Sequence, residues 1–161
     1  MKMGDGDRSV YIISPKTKAI IAKDSAYYRS HILEENRERF TIHKPEQIID
    51  HSCLVYGSTL EGRRKAVKDV LKSASKLPIS VIPENGVFMI PTASIKSKGC
   101  VWVAYHHIDD YEQRDDKTYI AFRDQTGIYI NTSENTFDSQ YKRTSQVIVH
   151  LNRHRLFGRG P

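Results

Sequence analysis

The chain has 161 residues and a formal net charge of +6, with a sequence pI near 9.3, a size that one domain built on one core accommodates. No apolar run approaches the roughly 20 residues of a membrane-spanning helix. Residues 1–7 lack the apolar stretch of a secretory signal, and two cysteines far apart in sequence argue against a disulfide framework.

In chain order, residues 1–8 read as a disordered tip, 9–152 as a single domain and 153–161 as a basic flexible tail. Residues 10–13 and 19–22, β-branched runs on either side of Pro15-Lys16-Thr17-Lys18, predict a first hairpin. Residues 31–34 and 39–42 around Glu35-Asn36-Arg37 predict a second, although 26–38 reads equally well as a short helix. Pro45 opens a helix where its missing N–H costs nothing, Ile48, Ile49, Cys53 and Tyr56 recur at helical spacing, and Gly57 ends it. Ser58 then reads as the N-cap of the next helix, with Glu61 three residues on completing a capping box.

That second helix carries Leu60, Val67, Val70, Leu71 and Ala74 on one side, and Arg64, Lys65, Lys68, Lys72 and Lys76 form a stripe on the other. Arg63 projects toward the apolar side, which requires either a buried partner or a later helix start. Residues 79–82 and 87–90 bracket Pro83-Glu84-Asn85-Gly86 as a hairpin. A basic loop, Lys96-Ser97-Lys98-Gly99, leads into a strand over 101–105, and 109–117 reads as an exposed charged loop. Residues 119–122 and 128–130 make another hairpin. Ser133 caps a last helix with Phe137, Tyr141, Thr144, Ile148 and Leu151 on one face and Lys142 and Arg153 facing outward. Antiparallel hairpins packed with about three helices predict an α+β single domain.

Several chemistries can be weighed on the residues alone. Gly57 and Gly62 have the spacing of a nucleotide-binding loop, but Arg63 and Arg64 replace its lysine and hydroxyl, and a helix precedes it where a strand belongs. A zinc site would draw on Cys53, Cys100 and some of His43, His51, His106 and His107, and no C-x-x-C supplies the usual spacing. His150 and His154 stand four apart without the glutamate of a metalloprotease between them. Cys53 lies within a helix with nothing to activate it, so both cysteines read as reduced, buried thiols in a cytoplasm. Trp102 and Tyr105 point to opposite faces of a strand and read as core, not as a stacking platform. No catalytic residue, metal or cofactor is expected. The basic balance favours an acidic partner, and the free N–H groups of the second helix's first turn offer it an anion seat.

Ser52-Cys53, Gly57-Ser58 and Gly62-Arg63-Arg64 with the following lysine resemble the S-C-x-x-[YF]-G-S-[ST]-x-x-G-R-[RK] signature of the bacterial competence transcription factors, the ComK family. The resemblance continues through Lys76-Leu77-Pro78-Ile79, Pro91-Thr92 with Ser94, Cys100-x-Trp102 with His106, and Asn135-Thr136-Phe137 with Gln140, Arg143 and Thr144. These blocks cover roughly residues 44 to 145 in the family's order. The resemblance implies a non-enzymatic, cytoplasmic and nucleoid-associated activator of competence genes. Such an activator binds AT-rich double-stranded DNA through the minor groove as a dimer or dimer of dimers, with RNA polymerase as a further partner and no membrane.

On this reading Arg63 or Arg64 enters the groove and Lys65, Lys68 and Lys72 meet phosphates. The first-turn N–H groups of Ser58, Thr59 and their neighbours to Gly62 hold one phosphate, and Lys96, Lys98, Lys142 and Arg143 form a second rank. Leu77 stands where relatives often have proline. Nothing after Leu156 resembles the family tail that a proteolysis adaptor recognises, as expected of a shortened chain or of a member that escapes that control. The alternative is a regulatory interaction module that turns its basic face on another acidic partner.

Overall fold

Short β-branched runs pair into a six-stranded sheet. The computed structural model describes residues 9–73, 75–93 and 99–153. Strands β1 (Thr17–Ala22), β2 (Ser30–Glu34), β3 (Arg37–Thr41), β4 (Ile79–Ile82), β5 (Val87–Pro91) and β6 (Val101–Ala104) lie in the order β3-β2-β1-β6-β5-β4. A three-stranded sheet follows, β7 (Ile108–Arg114), β8 (Lys117–Phe122) and β9 (Gly127–Ile130), and the described helices are α1 (Pro45–Val55), α2 (Leu60–Leu71) and α3 (Glu134–Leu151). Every pairing is antiparallel. The molecule is an α+β domain with three helices, as the sequence pattern indicates.

Both faces of the large sheet are covered, which is why β4, β5 and β6 are apolar and buried almost without alternation. On one face Ile20, Ile32, Met89 and Trp102 pack against Ile48, Ile49 and Cys53 of α1. On the other, Ala19, Ile90 and Val103 meet Ile108, Ile120 and Phe122 of the small sheet and Phe137 of α3. A third cluster joins Val67 of α2 to Leu77, Phe88 and Val147, so α2 and α3 flank the β4–β5 end of the sheet.

The first expected hairpin does not form. Both edges of β1 are taken, by β2 and by β6, so residues 10–13 have no strand to pair with. They cross the α1 face instead: Tyr11 and Ile13 are buried, the Ile13 N–H donates to Ser52 Oγ at 2.9 Å, and the Tyr56 hydroxyl donates to the Ile13 carbonyl at 3.0 Å. The second hairpin forms as β2 and β3, closed by Asn36 in the left-handed region, and the helical alternative over 26–38 falls away.

The charged loop expected over 109–117 is mostly strand β7. Its solvent side carries Asp110, Glu112 and Arg114, and a register shift between Ile108 and Asp110 breaks the alternation that would have revealed it. The Pro83–Asn85 turn is a single 3-10 turn closed by Gly86, as the Pro and Asn-Gly positions indicate. Ser133 caps α3 by accepting from the Thr136 N–H at 3.2 Å. The buried face of α3 holds Phe137, Gln140, Thr144 and Val147, while Leu151 is 39% exposed. Gln140 is tolerated inside because its amide donates to the Pro91 carbonyl at 2.9 Å.

Candidate functional site

The corner between α1 and α2 turns at Gly57, whose φ of +91° suits a residue without a Cβ. The Ser58 N–H closes it onto the Cys53 carbonyl at 2.9 Å. α2 starts one residue later than the expected capping box. Thr59 is the N-cap, its Oγ1 accepting from the Gly62 N–H at 2.9 Å, and so Glu61 falls in the first turn without a box partner.

This shift leaves Arg63 half-buried, with Nη2 donating to the Tyr56 carbonyl at 3.4 Å and Nε enclosed without a partner. Tyr56 ends α1, where carbonyls lack helical partners and a cation is favourable. Arg63 is thus a brace for α1. Burial pushes the neighbouring Cys53 thiol up to about 11, only partly opposed by the Arg63 charge. Arg63→Ala is expected to lower stability by about 1–2 kcal/mol, and Arg64→Ala to change it by no more than about 0.5 kcal/mol; urea midpoints of the two variants check the contrast.

The anion seat at the start of α2 is occupied from within. Asp50 of α1 accepts from the Leu60 N–H at 3.1 Å, and Thr59 uses the Gly62 N–H. An internal carboxylate at a helix N-terminus satisfies the same donors and dipole that a phosphate would, so the phosphate expected across Ser58 to Gly62 has lost its principal donors.

What remains on the outside is a row of cations. Arg64 is half-buried and Lys65, Lys68 and Lys72 are exposed, and among the described residues none of their side chains enters a hydrogen bond or ion pair. Arg64, Lys65 and Lys68 line a depression of about 350 Å³ that also holds Glu61, Asp69 and Leu77. Lys72 caps α2 with φ +56°, its N–H on the Lys68 carbonyl. That conformation is one in which glycine is the usual residue and any other costs about 1 kcal/mol.

The second-rank residues separate. Lys142 pairs with Asp138 at 2.9 Å on the surface of α3, a weak exposed contact. Arg143 reaches across the surface, Nη2 donating to the Ser75 carbonyl at 3.2 Å, and so fastens α3 to the segment after α2. Lys96 and Lys98 lie outside the described residues. Gln146 escaped the sequence reading, and His150 entered it only as half of a metal pair with His154, although both share one face of α3 with Lys142.

Among the described residues the alternative chemistries find no assembled site, and His154 of the His150–His154 pair lies outside them. Cys53 and Cys100 are free, buried in one core, and raised by burial, so both pack as small hydrophobes. His106 and His107 each donate through Nε2 to the Pro15 carbonyl, at 2.8 and 2.7 Å, and burial holds His107 below the ordinary histidine range. Trp102 is buried, and Tyr105 stacks on Tyr141 at 4.7 Å. Among the described residues no three metal-ligating side chains converge, and no helix is long and apolar enough to cross a membrane.

The family model described as ComK protein matches residues 8–155. The chain is similar to the competence transcription factor of Bacillus subtilis (strain 168), at 29% identity over 143 residues that cover 88% of this chain and 74% of that protein. No solved structure matches it.

Proposed function

Because the chain belongs to the ComK family, we propose that it is a non-enzymatic transcription activator of competence genes that works in the cytoplasm on nucleoid DNA. It binds AT-rich duplex through the minor groove as a dimer or dimer of dimers and acts on RNA polymerase. The observation that carries this reading is the outer row Arg64, Lys65, Lys68 and Lys72, unpaired among the described residues.

Surface cations are usually partnered by water alone, and a row of them is weak support taken singly. Lys72 strengthens it. Its left-handed cap, a conformation that glycine would fill at lower cost, sets its ammonium at the end of the row. With Arg63 turned inward, Arg64 is the arginine left for the groove, where narrow A·T tracts concentrate negative potential and attract guanidinium by shape and field. Lys65, Lys68 and Lys72 then hold phosphates, which position the protein without reading sequence. Lys96 and Lys98 stay in the proposal on sequence alone. The mixed charge around Arg64, with Glu61 and Asp69 in the same depression, is what favours the second reading, a module for another macromolecule.

Anisotropy titrations of a short AT-rich and a GC-rich duplex, at about 50 and 200 mM salt, decide between them. The wild type is expected to prefer the AT-rich duplex and to lose affinity steeply with salt. Lys65→Ala/Lys68→Ala/Lys72→Gly should flatten the salt slope by about 2.7, near 0.9 for each phosphate no longer neutralised, and Arg64→Ala should narrow the AT preference. Binding that is indifferent to base composition and unaffected by these changes rejects the reading. Solution mass with and without duplex reports the oligomer.

A further inference from the structure

The outer faces of α2 and α3 lie side by side, held from beneath by Val67, Leu77, Phe88 and Val147 and by the Arg143–Ser75 hydrogen bond. A groove of about 510 Å³ runs there, with Val70 and Val149 in its apolar lining and Lys142, Gln146, His150 and Arg153 along it. Its charge differs from that of the depressions on the other side of α2. Those mix signs, Glu61 and Asp69 beside Lys65 and Lys68 in one, Glu46 and Asp50 beside Arg64 in the other. Among the described residues no carboxylate lines the α2–α3 groove.

Lys142, Gln146 and His150 stand at i, i+4 and i+8, in one stripe about 12 Å long at 1.5 Å per residue, and Arg153 follows just past the Asn152 cap. Ser145 in the same wall is already spent, within 2.6 Å of the Tyr105 hydroxyl and donating to the Tyr141 carbonyl at 3.2 Å. Gln146 is exposed, and neither it nor Arg153 has a side-chain partner among the described residues. The Asp138 that pairs with Lys142 is itself solvent-accessible, so the ammonium is readily exchanged to a stronger anion.

We infer that this groove is a second DNA-contact surface, which holds the sugar–phosphate backbone along one side of a minor groove whose other side is held by Lys65, Lys68 and Lys72. The two cationic rows flank α2, one in the groove against α3 and the other on its far side, so they stand about one helix diameter, roughly 10–12 Å, apart, a separation that lets them reach phosphates on the two sides of a minor groove about 6 Å wide. Gln146, on the groove line, presents an amide donor suited to the adenine N3 and thymine O2 acceptors that the minor groove displays. The inference deepens the DNA-binding reading and depends on it.

The test uses the full chain and an AT-rich duplex, with salt slopes and hydroxyl-radical footprints of two variants. Lys142→Ala/Gln146→Ala/Arg153→Ala is expected to flatten the salt slope by about 1.8, for two phosphates no longer neutralised. It should also remove protection from one strand while the other stays protected. Lys65→Ala/Lys68→Ala/Lys72→Gly should remove protection from the opposite strand. All six positions are solvent-facing, and urea midpoints no lower than wild type, raised where Lys72→Gly relieves the left-handed cap, confirm that folding is intact. If the α3 variant binds and footprints like wild type while the α2 variant is weakened, the groove inference is overturned and the DNA-binding reading stands. If neither variant alters binding, both are overturned.

Discussion

Asp124→Ala is expected to destabilise the protein by about 3 kcal/mol, and Lys18→Met by less than about 1 kcal/mol, although the two side chains form one ion pair. The asymmetry comes from where each charge sits. Lys18 lies on β1 with its side chain only 6% exposed, Nζ donating to Asp124 Oδ2 at 2.7 Å and to Thr126 Oγ1 at 2.8 Å, above the Phe122 ring. Asp124 is 30% exposed. Removing the aspartate strands a buried ammonium on a single hydroxyl, whereas removing the ammonium leaves a carboxylate that water and Thr126 can still serve. Partial exposure of Asp124 sets the loss at the lower end of the about 3–5 kcal/mol typical of a broken buried pair.

Acid should reproduce part of the effect. Burial alone would raise the Asp124 carboxyl, but hydrogen bonds from Lys18 and Thr126 hold it at about 2. Its folded value is therefore below the unfolded one of about 3.9. The stability it supplies is complete above pH of about 4 and drains away as pH falls toward about 2. Urea midpoints across that window should drop more steeply for the wild type than for Lys18→Met. Because the pair joins the large sheet to the β8–β9 turn, it touches none of the α2 cations, and affinity per folded molecule should not change.

Trp102→Ala should cost about 3–5 kcal/mol. The indole is 1% exposed, on a central strand between Ile20 of β1 and Pro91 of β5, and it faces the α1 core with Ile48, Ile49 and Cys53. Its loss removes a large transfer contribution and leaves a cavity that strands paired on both sides cannot close. Leu54→Ala, 54% exposed on α1, is the control and should shift stability by no more than about 0.5 kcal/mol. Trp102 is the chain's single tryptophan, so far-UV circular dichroism is the appropriate probe. A loss for Trp102→Ala as small as that of Leu54→Ala would contradict the central position of the strand.

The basic face was legible from spacing alone, since a helical stripe of lysines needs only local sequence to be seen. Spacing also set Arg64 in that stripe and Arg63 toward the apolar side, but whether Arg63 finds a buried partner or α2 starts later was not legible. Both occur: α2 starts at a Thr59 cap in place of Ser58, and Arg63, on the side of Leu60 and Val67, finds its partner in the Tyr56 carbonyl. The anion seat likewise read as open because its occupant, Asp50, belongs to the preceding helix. Strand β7 was missed for a different reason: with one face in water and a register shift after Ile108, it lacks the period that marks a strand.

The amino-acid order by itself determined the three described helices, the Phe137 and Thr144 part of the buried face of α3, the Pro83–Asn85 turn and the α+β class, because caps, turn residues and hydrophobic periods act within a few positions. The tertiary structure alone decided that residues 10–13 lie across α1 instead of pairing with β1, that Lys18 is buried, and which cations stay free. Each of those outcomes depends on a partner remote in sequence, as Lys18 and Asp124 are at a separation of 106 residues. The energy of such an interaction arises only when the chain has closed around it.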